Sequence, residues 1–276
     1  MKLALACSEE LAIVDISAGK KVWSAPFDTH PQFSSDEQRW LKWYRSSVNE
    51  AKPVGAKRLL ITSVAGPVAF ADIDTGELRR IAWEPGVHSA ELLPGGLVVA
   101  AVSSRPDTPP GAPPARGHAL VLYDPSEPDQ EVWRDAVLSC HGCVYDRRNE
   151  CLWVLGRHEL RRYRCDLQER MLRCEDLLAL PDPFGHDLAP DPEGGGLILT
   201  TGDGVFCFDP ADRSFRPHPI LGACPDVKGV SVEPRTRCIA WVQADQGDYL
   251  SDRVQFTDPQ TPPLLTDTPV YKARWL

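Results

Sequence analysis

Val205-Phe206-Cys207-Phe208-Asp209-Pro210-Ala211-Asp212 is a short apolar segment that ends on an aspartate and runs straight into a turn. The same unit recurs along the chain: Leu11-Ala-Ile-Val before Asp15, Val68-Ala-Phe-Ala before Asp72, Ala119-Leu-Val-Leu-Tyr before Asp124, Leu160-Arg-Arg-Tyr-Arg-Cys before Asp166, and Val254-Gln-Phe-Thr before Asp258. An aspartate carboxylate caps the backbone of a turn that follows it, so one Asp per unit marks a turn-former rather than a catalyst. Short strands recurring with turns of Pro, Gly and Ser describe an all-β repeat protein, not a chain of long helices.

A second register precedes each strand group. Lys52, His88, His141, His186, Lys228 and Lys272 each open a segment that leads into an apolar strand, at successive spacings of 36, 53, 45, 42 and 44 residues. That is the size of a four-stranded blade. Lys272 opens Lys-Ala-Arg-Trp-Leu at the C-terminal end, while the N-terminal end starts on the strand Lys2-Leu-Ala-Leu-Ala without such an opening segment. The expectation is a six-bladed β-propeller of four-stranded blades, one domain over residues 1–276, with the first blade closed by strands from both termini. Tryptophans 23, 83, 133, 153 and 241 fall on strand positions and are expected to pack between blades.

Composition narrows function. The chain has 276 residues, 42% of them hydrophobic and 25% charged, which is a globular balance. Thirty Lys and Arg against thirty-nine Asp and Glu give a net charge of −9, so a nucleic-acid surface is not expected. The opening apolar run stops at Ser8-Glu9-Glu10, too short for a secretion signal, and reads as a strand of a cytoplasmic protein without a membrane segment. Nine cysteines without framework spacing read as reduced thiols. Cys140-His141-Gly142-Cys143 is the one Cys-x-x-Cys, and without a second pair it reads either as a weak zinc or redox signal or as two small strand residues.

Non-repeating sequence collects in three insertions, residues 27–49, 103–117 and 243–253, all on the face where the Lys/His segments begin. Loops of that length usually carry binding groups. The opposite face holds only tight connections, such as Leu93-Pro-Gly-Gly and Asp146-Arg-Arg-Asn, and reads as structural. In the first insertion Ser34 and Glu37 form a capping box ahead of Trp40, Trp43 and Tyr44, which predicts a short helix. Trp40 and Trp43 would either roof an axial pocket and touch substrate or dock on the blades. The proline-rich stretch from Arg105 to Gly117 reads as a stiff rim.

Six equivalent positions on six inner strands converge on one axis, here as Lys, His, His, His, Lys, Lys. Three neutral imidazoles from consecutive strands, His88, His141 and His186, can ligate one divalent transition metal, with zinc or manganese foremost, and leave a position for water or substrate. Glu91, Asp187 and Asp226 are the nearby carboxylates that could support it. The alternative is a hydrogen-bonded polar ring filling a channel. Lys52, Lys228 and Lys272, gathered opposite the histidines, would repel one another, so one of them has a depressed pKa or the group clamps an anion. Arg274 shares their face by strand alternation. His30, His118, His158 and His218 lie outside this register and are expected in solvent.

Val87-His-Ser-Ala-Glu-Leu-Leu-Pro-Gly-Gly, Gly185-His-Asp-Leu-Ala-Pro-Asp-Pro, Glu50-Ala-Lys-Pro and Lys228 resemble an uncharacterised bacterial family of propeller proteins. The likeness spans most of the chain; it implies the fold and register but no activity, and Cys140 and Cys143 fall outside its pattern. By looser analogy the arrangement is similar to two groups of propeller lyases, the peptidyl-hydroxyglycine amidating lyases with zinc on axial histidines and the oligogalacturonate lyases with manganese on a histidine-rich site.

These readings converge on a metal-dependent enzyme of lyase or hydrolase type acting on a small anionic molecule. His88, His141 and His186 are its expected ligands and Lys52, Lys228 and Lys272 its catalytic groups. Arg274, Glu91, Asp187, Trp40 and Trp43 are expected around the substrate. The alternative is a non-catalytic propeller that binds an anionic metabolite or a protein partner; oligomeric state is left open.

Overall fold

Apolar alternation broken by an Asp turn dictates antiparallel hairpins, and the computed structural model consists almost entirely of them. It describes residues 1–44, 48–103, 107–192, 195–245 and 248–276. Arg105, which opens the proline-rich insertion, lies outside the described residues, as do residues 45–47 and 246–247 of the other two insertions.

The strands, in chain order, are β1 (Lys2–Cys7), β2 (Glu10–Asp15), β3 (Lys20–Pro26), β4 (Glu50–Val54), β5 (Arg58–Thr62), β6 (Pro67–Asp72), β7 (Leu78–Trp83), β8 (Val87–Leu92), β9 (Val98–Val102), β10 (Ala119–Tyr123) and β11 (Glu131–Asp135). They continue as β12 (Gly142–Asp146), β13 (Cys151–Leu155), β14 (Glu159–Asp166), β15 (Met171–Ala179), β16 (Asp187–Pro190), β17 (Leu197–Thr200), β18 (Val205–Asp209), β19 (Ser214–Pro217), β20 (Val227–Val232), β21 (Ile239–Gln243), β22 (Ser251–Phe256) and β23 (Leu264–Trp275). Four sheets are four-stranded meanders, β4 to β7, β8 to β11, β12 to β15 and β16 to β19; the fifth has seven strands in the order β20-β21-β22-β23-β1-β2-β3.

The long strand β23 makes that fifth sheet. Its first part pairs with β22 (Leu264 opposite Val254), and its last part pairs with β1 (Lys272 opposite Ala6, Trp275 opposite Leu3). The two ends of the chain thus share one sheet, as the repeat register predicts. The leading strands contact one another in sequence, β4 with β8, β8 with β12, β12 with β16, β16 with β20 and β20 with β23, and β23 returns to β4. The fold is all-β and propeller-like, with the leading strands facing one axis.

All six marker aspartates do the job their position implies. Asp15, Asp72, Asp124, Asp166, Asp209 and Asp258 each accept a backbone N–H from two or three residues downstream. Trp23, Trp83, Trp133, Trp153 and Trp241 all pack into apolar clusters between sheets.

Among the described residues the one α-helix, α1 (Ser35–Trp43), begins with the expected capping box: Ser34 Oγ accepts from Glu37 N, and the Glu37 carboxylate accepts from Ser34 N. Its Trp40 ring meets Trp83 edge-on at 5.5 Å, and Trp83 lies against Gly66, whose φ of 145° suits glycine alone. A Cβ at Gly66 would run into the Trp83 indole. Gly66→Ala is therefore expected to cost about 2 kcal/mol or more through overpacking and a disfavoured backbone, read as a lower urea midpoint. An unchanged midpoint would show that Trp83 can move aside.

Candidate functional site

Four leading strands deliver a polar group to the same end of the axis. His88 is the second residue of β8, Lys228 the second of β20, and His141 and His186 stand immediately before β12 and β16. Strands β12 and β16 approach closely because Gly142 has no side chain, and a Cβ there would sit 2.8 Å from Leu188 Cβ. The rings of His88 and His141 lie 4.2 Å apart, centre to centre and tilted by 39°, and those of His141 and His186 lie 5.8 Å apart and nearly perpendicular. Lys228 Nζ is 3.1 Å from His186 Nε2 and 3.1 Å from Asp226 Oδ1.

Electrostatics hold His141 and His186 neutral. Burial above all, helped by the charges of Lys272 and Lys228, lowers His141 to about 4, and burial with Lys228 lowers His186 to about 2. Burial also lowers Lys228, against the pull of Asp226. His141 donates its Nδ1–H to the Ser139 carbonyl at 2.8 Å, which fixes the tautomer and leaves Nε2 with its lone pair. Tyr271 Oη stands 3.5 Å from His88 Nδ1. The buried Nδ1 of His186 has no hydrogen-bond partner.

Lys272 does not join this group. It sits one layer deeper, fully buried with Arg274 against two carboxylates, so the expectation of three mutually repelling lysines is corrected. Lys272 Nζ lies 2.8 Å from Asp187 Oδ1 and 3.6 Å from Glu50 Oε2. Arg274 holds both carboxylates bidentately, at 2.7 Å to each oxygen of Glu50 and at 2.7 and 2.8 Å to Asp187. Asp187 further accepts Val230 N at 2.9 Å, and Glu50 accepts Ser89 Oγ at 3.1 Å. Two cations and two anions make a neutral tetrad. Burial alone would raise both acids, but Arg274 and Lys272 outweigh it, bringing Glu50 to about 2 and Asp187 well below the carboxylate range. Asp187 and Arg274 are thus tied to each other rather than presented to a substrate.

Lys52 is displaced further still. It lies two residues beyond Glu50 on β4, one pleat repeat or roughly 6–7 Å toward the opposite end of the axis. There its Nζ bonds Glu91 Oε2 at 3.1 Å and the Cys143 carbonyl at 2.5 Å. Burial opposes its charge, yet the nearby Glu91 holds the ammonium pKa above its ordinary value. Of the three lysines expected together, only Lys228 faces the histidines.

The expected aromatic roof is also corrected. Trp40 packs on Trp83 of β7, the outermost strand of its sheet, and Trp43 is 59% exposed, because the amphipathic helix spends its aromatic face on the nearest blade edge. His30 and His218, expected in solvent, are buried: His30 Nε2 donates to the Gly76 carbonyl at 3.0 Å, and His218 Nδ1 accepts from Ile220 N and Leu221 N. Cys140 and Cys143 are free, fully buried thiols, Cys143 on β12 and Cys140 in the connection that precedes it.

Glu50 is the consequential residue that sequence reasoning passed over. Its signal was available, since Glu50 and Lys52 share a strand face by the same alternation that placed Arg274 beside Lys272. Ser139 and Tyr271 carry no comparable signal, because each acts on a neighbouring histidine through the local path of the chain.

No family model and no curated protein matches the sequence, so these comparisons lend no support to the resemblance to a bacterial propeller family. Among solved structures, the chain is similar to one in the crystal structure of a nidogen/laminin complex, at 10% identity and a TM-score of 0.64, with 99% of this chain and 97% of that chain covered. The likeness is one of fold and supports the propeller-like assignment. Among the described residues, no helix is long and apolar enough to cross a membrane, and no group of three or more His, Cys, Asp or Glu side chains is arranged to hold a metal ion.

Proposed function

We propose that the chain is a six-bladed propeller, the seven-stranded sheet being two blades that share β23, and that its axial His88–His141–His186–Lys228 group binds a small anionic substrate and moves a proton on it. The contact of Lys228 Nζ with His186 Nε2, at 3.1 Å and with the Lys228 side chain buried, carries this reading. A lysine whose ammonium is disfavoured by burial takes up an anion to recover its charge, or acts unprotonated as a base. The unpartnered Nδ1 of His186 offers that anion a second polar contact. Lyase or hydrolase chemistry needs such a group to take a proton from the substrate and return it to the leaving group or to water.

The test uses malonate as the anion and ¹⁵N-detected NMR as the readout. His141 and His186 are expected to stay neutral from pH 7 down to about 4 and about 2 respectively. Malonate is expected to shift both ring signals, and Lys228→Met to weaken its binding roughly tenfold, the effect of losing one charge-assisted hydrogen bond. Histidines titrating near 6.5, or equal malonate binding by the variant, would sink the proposal.

A second reading, a zinc or manganese site on the same three histidines, draws on the bond from His141 to the Ser139 carbonyl, the orienting contact that metal-bound imidazoles usually have. It requires the Lys228 ammonium to leave His186 Nε2. About one equivalent of metal in protein purified without a histidine tag, absent from the His88→Ala/His141→Ala/His186→Ala variant, would establish it. No metal even after reconstitution would leave the anion reading alone. The exposed Trp43 and Tyr249, both on insertions of this face, favour a protein partner as the alternative occupant of the rim.

A further inference from the structure

The axis also opens at its other end, on the face of tight hairpins that the loop lengths marked as merely structural. The last residues of the leading strands, among them Val54, Leu92, Asp146, Pro190, Val232 and Trp275, surround a cavity of about 770 Å³. That is within the range of small-molecule sites, roughly 300–1,000 Å³. Its wall is mainly apolar. Its floor is the Lys52–Glu91 pair above Arg274, and the neutral tetrad behind that pair separates it from the histidine layer.

We infer that this cavity is a second binding site, for an amphipathic organic acid whose carboxylate meets Lys52 and whose apolar body lies against the strand ends. Three observations assign the sign of the ligand. Lys52 has three N–H donors, and Glu91 and the Cys143 carbonyl take two of them. The hairpin after β12 brings Arg147 and Arg148, both exposed, to the rim. Of the lining carboxylates, Asp191 is already paired with Arg237 at 2.7 Å, and Asp146 caps the backbone of its own turn through Arg148 N and Asn149 N. Arg274 adds no net charge because Glu50 and Asp187 balance it. Glu91 balances Lys52 and Arg237 balances Asp191, so Arg147 and Arg148 leave one positive charge over Asp146, and an apolar-walled cavity of that sign in a chain of net charge −9 selects an anion with a greasy body over a small hydrophilic one.

The site is independent of the histidine layer, and the experiment keeps the two apart. Decanoate is the probe, read by displacement of the fluorescent anion 1-anilinonaphthalene-8-sulfonate, with decanol as the uncharged control. Decanoate is expected to displace the dye at one site per chain, and decanol at least about tenfold less well, since it forgoes the charged contact. Because Lys52→Met alone strands a buried Glu91, the informative variant is the charge-balanced Lys52→Met/Glu91→Leu. It is expected to bind decanoate about tenfold more weakly while keeping or improving its affinity for decanol. Leu92→Trp, which fills the cavity from its half-exposed wall, is expected to abolish both. Saturating malonate, the probe of the histidine group, is expected to leave decanoate binding unchanged. Equal binding of acid and alcohol, decanoate affinity unchanged in the double variant, dye displacement surviving Leu92→Trp, or competition by malonate would each overturn the inference.

Discussion

Arg274→Met is expected to destabilise the fold by about 3–5 kcal/mol, the cost of leaving a buried charge without its partner. Among the described residues the guanidinium is the only group that touches both Glu50 and Asp187 bidentately, and it also donates to the Val230 carbonyl at 2.5 Å. Without it, two carboxylates would share the single ammonium of Lys272, which lies closer to Asp187 than to Glu50. One negative charge is then uncompensated in a site sealed from water. Domains of this kind are stable by about 5–15 kcal/mol, so the loss would be a large fraction of the total. Urea denaturation checks it, and the pairing argument makes a sharper demand through Arg274→Met/Glu50→Gln, which restores charge balance. That double variant is expected to recover at least about half of the loss, because the penalty belongs to the stranded charge more than to the missing bonds. A loss below about 1 kcal/mol for the single variant would mean that water reaches the tetrad.

The contrast between what was legible and what was not has a physical basis. Asp209 and its five counterparts could be read because a turn is local: the carboxylate and the N–H groups it caps lie within three residues. The pairing of the two chain ends could be read because a strand lacking a partner at one end was matched by another at the other end, and β1 pairs with β23 accordingly. The histidine cluster followed from one residue per repeat. The tetrad could not be read in the same way, since Glu50 and Arg274 are 224 residues apart and only the depth at which each strand enters the axis brings them level. Repeat spacing specifies which strand a residue occupies, whereas depth along the axis changes with every bulge, as between Val227 and Gly229 beside Lys228. Lys52 and Lys272 were therefore placed on the right strands and at the wrong heights. The cavity opposite the histidines escaped notice for a related reason: loop length says how much chain decorates a face, not how widely the strand ends diverge beneath it.

Acid is expected to unfold the protein in two overlapping stages. His141, His186 and the buried His218 all have a folded pKa below the ordinary value of 6.5, so the unfolded chain binds their protons more readily. Their contribution is full above about pH 6.5 and is lost as pH falls, at about 1.4 kcal/mol per pH unit for each proton. His141 stops contributing to the slope near its folded value of about 4, while His186 continues toward about 2. Glu50 enters at its ordinary 4.5 and is lost toward about 2, and Asp187 follows from 3.8, because for both acids the ionised form is the one the fold prefers. The urea midpoint should therefore be level near pH 7–8, decline from about 6.5, and fall most steeply between about pH 4 and 3, where His186, Glu50 and Asp187 titrate together. Replacing His141 and His186 by Gln removes two of the early protons, so the decline between 6.5 and 4.5 should become shallower, keeping only the part due to His218, while the steep fall below it remains. Arg274→Met/Glu50→Gln should do the reverse, sparing the early slope and shallowing the late one. A midpoint in the native protein that stays level down to pH 4.5 would mean that the axial imidazoles are charged or solvated, and the anion site would lose the neutral histidines on which its chemistry depends.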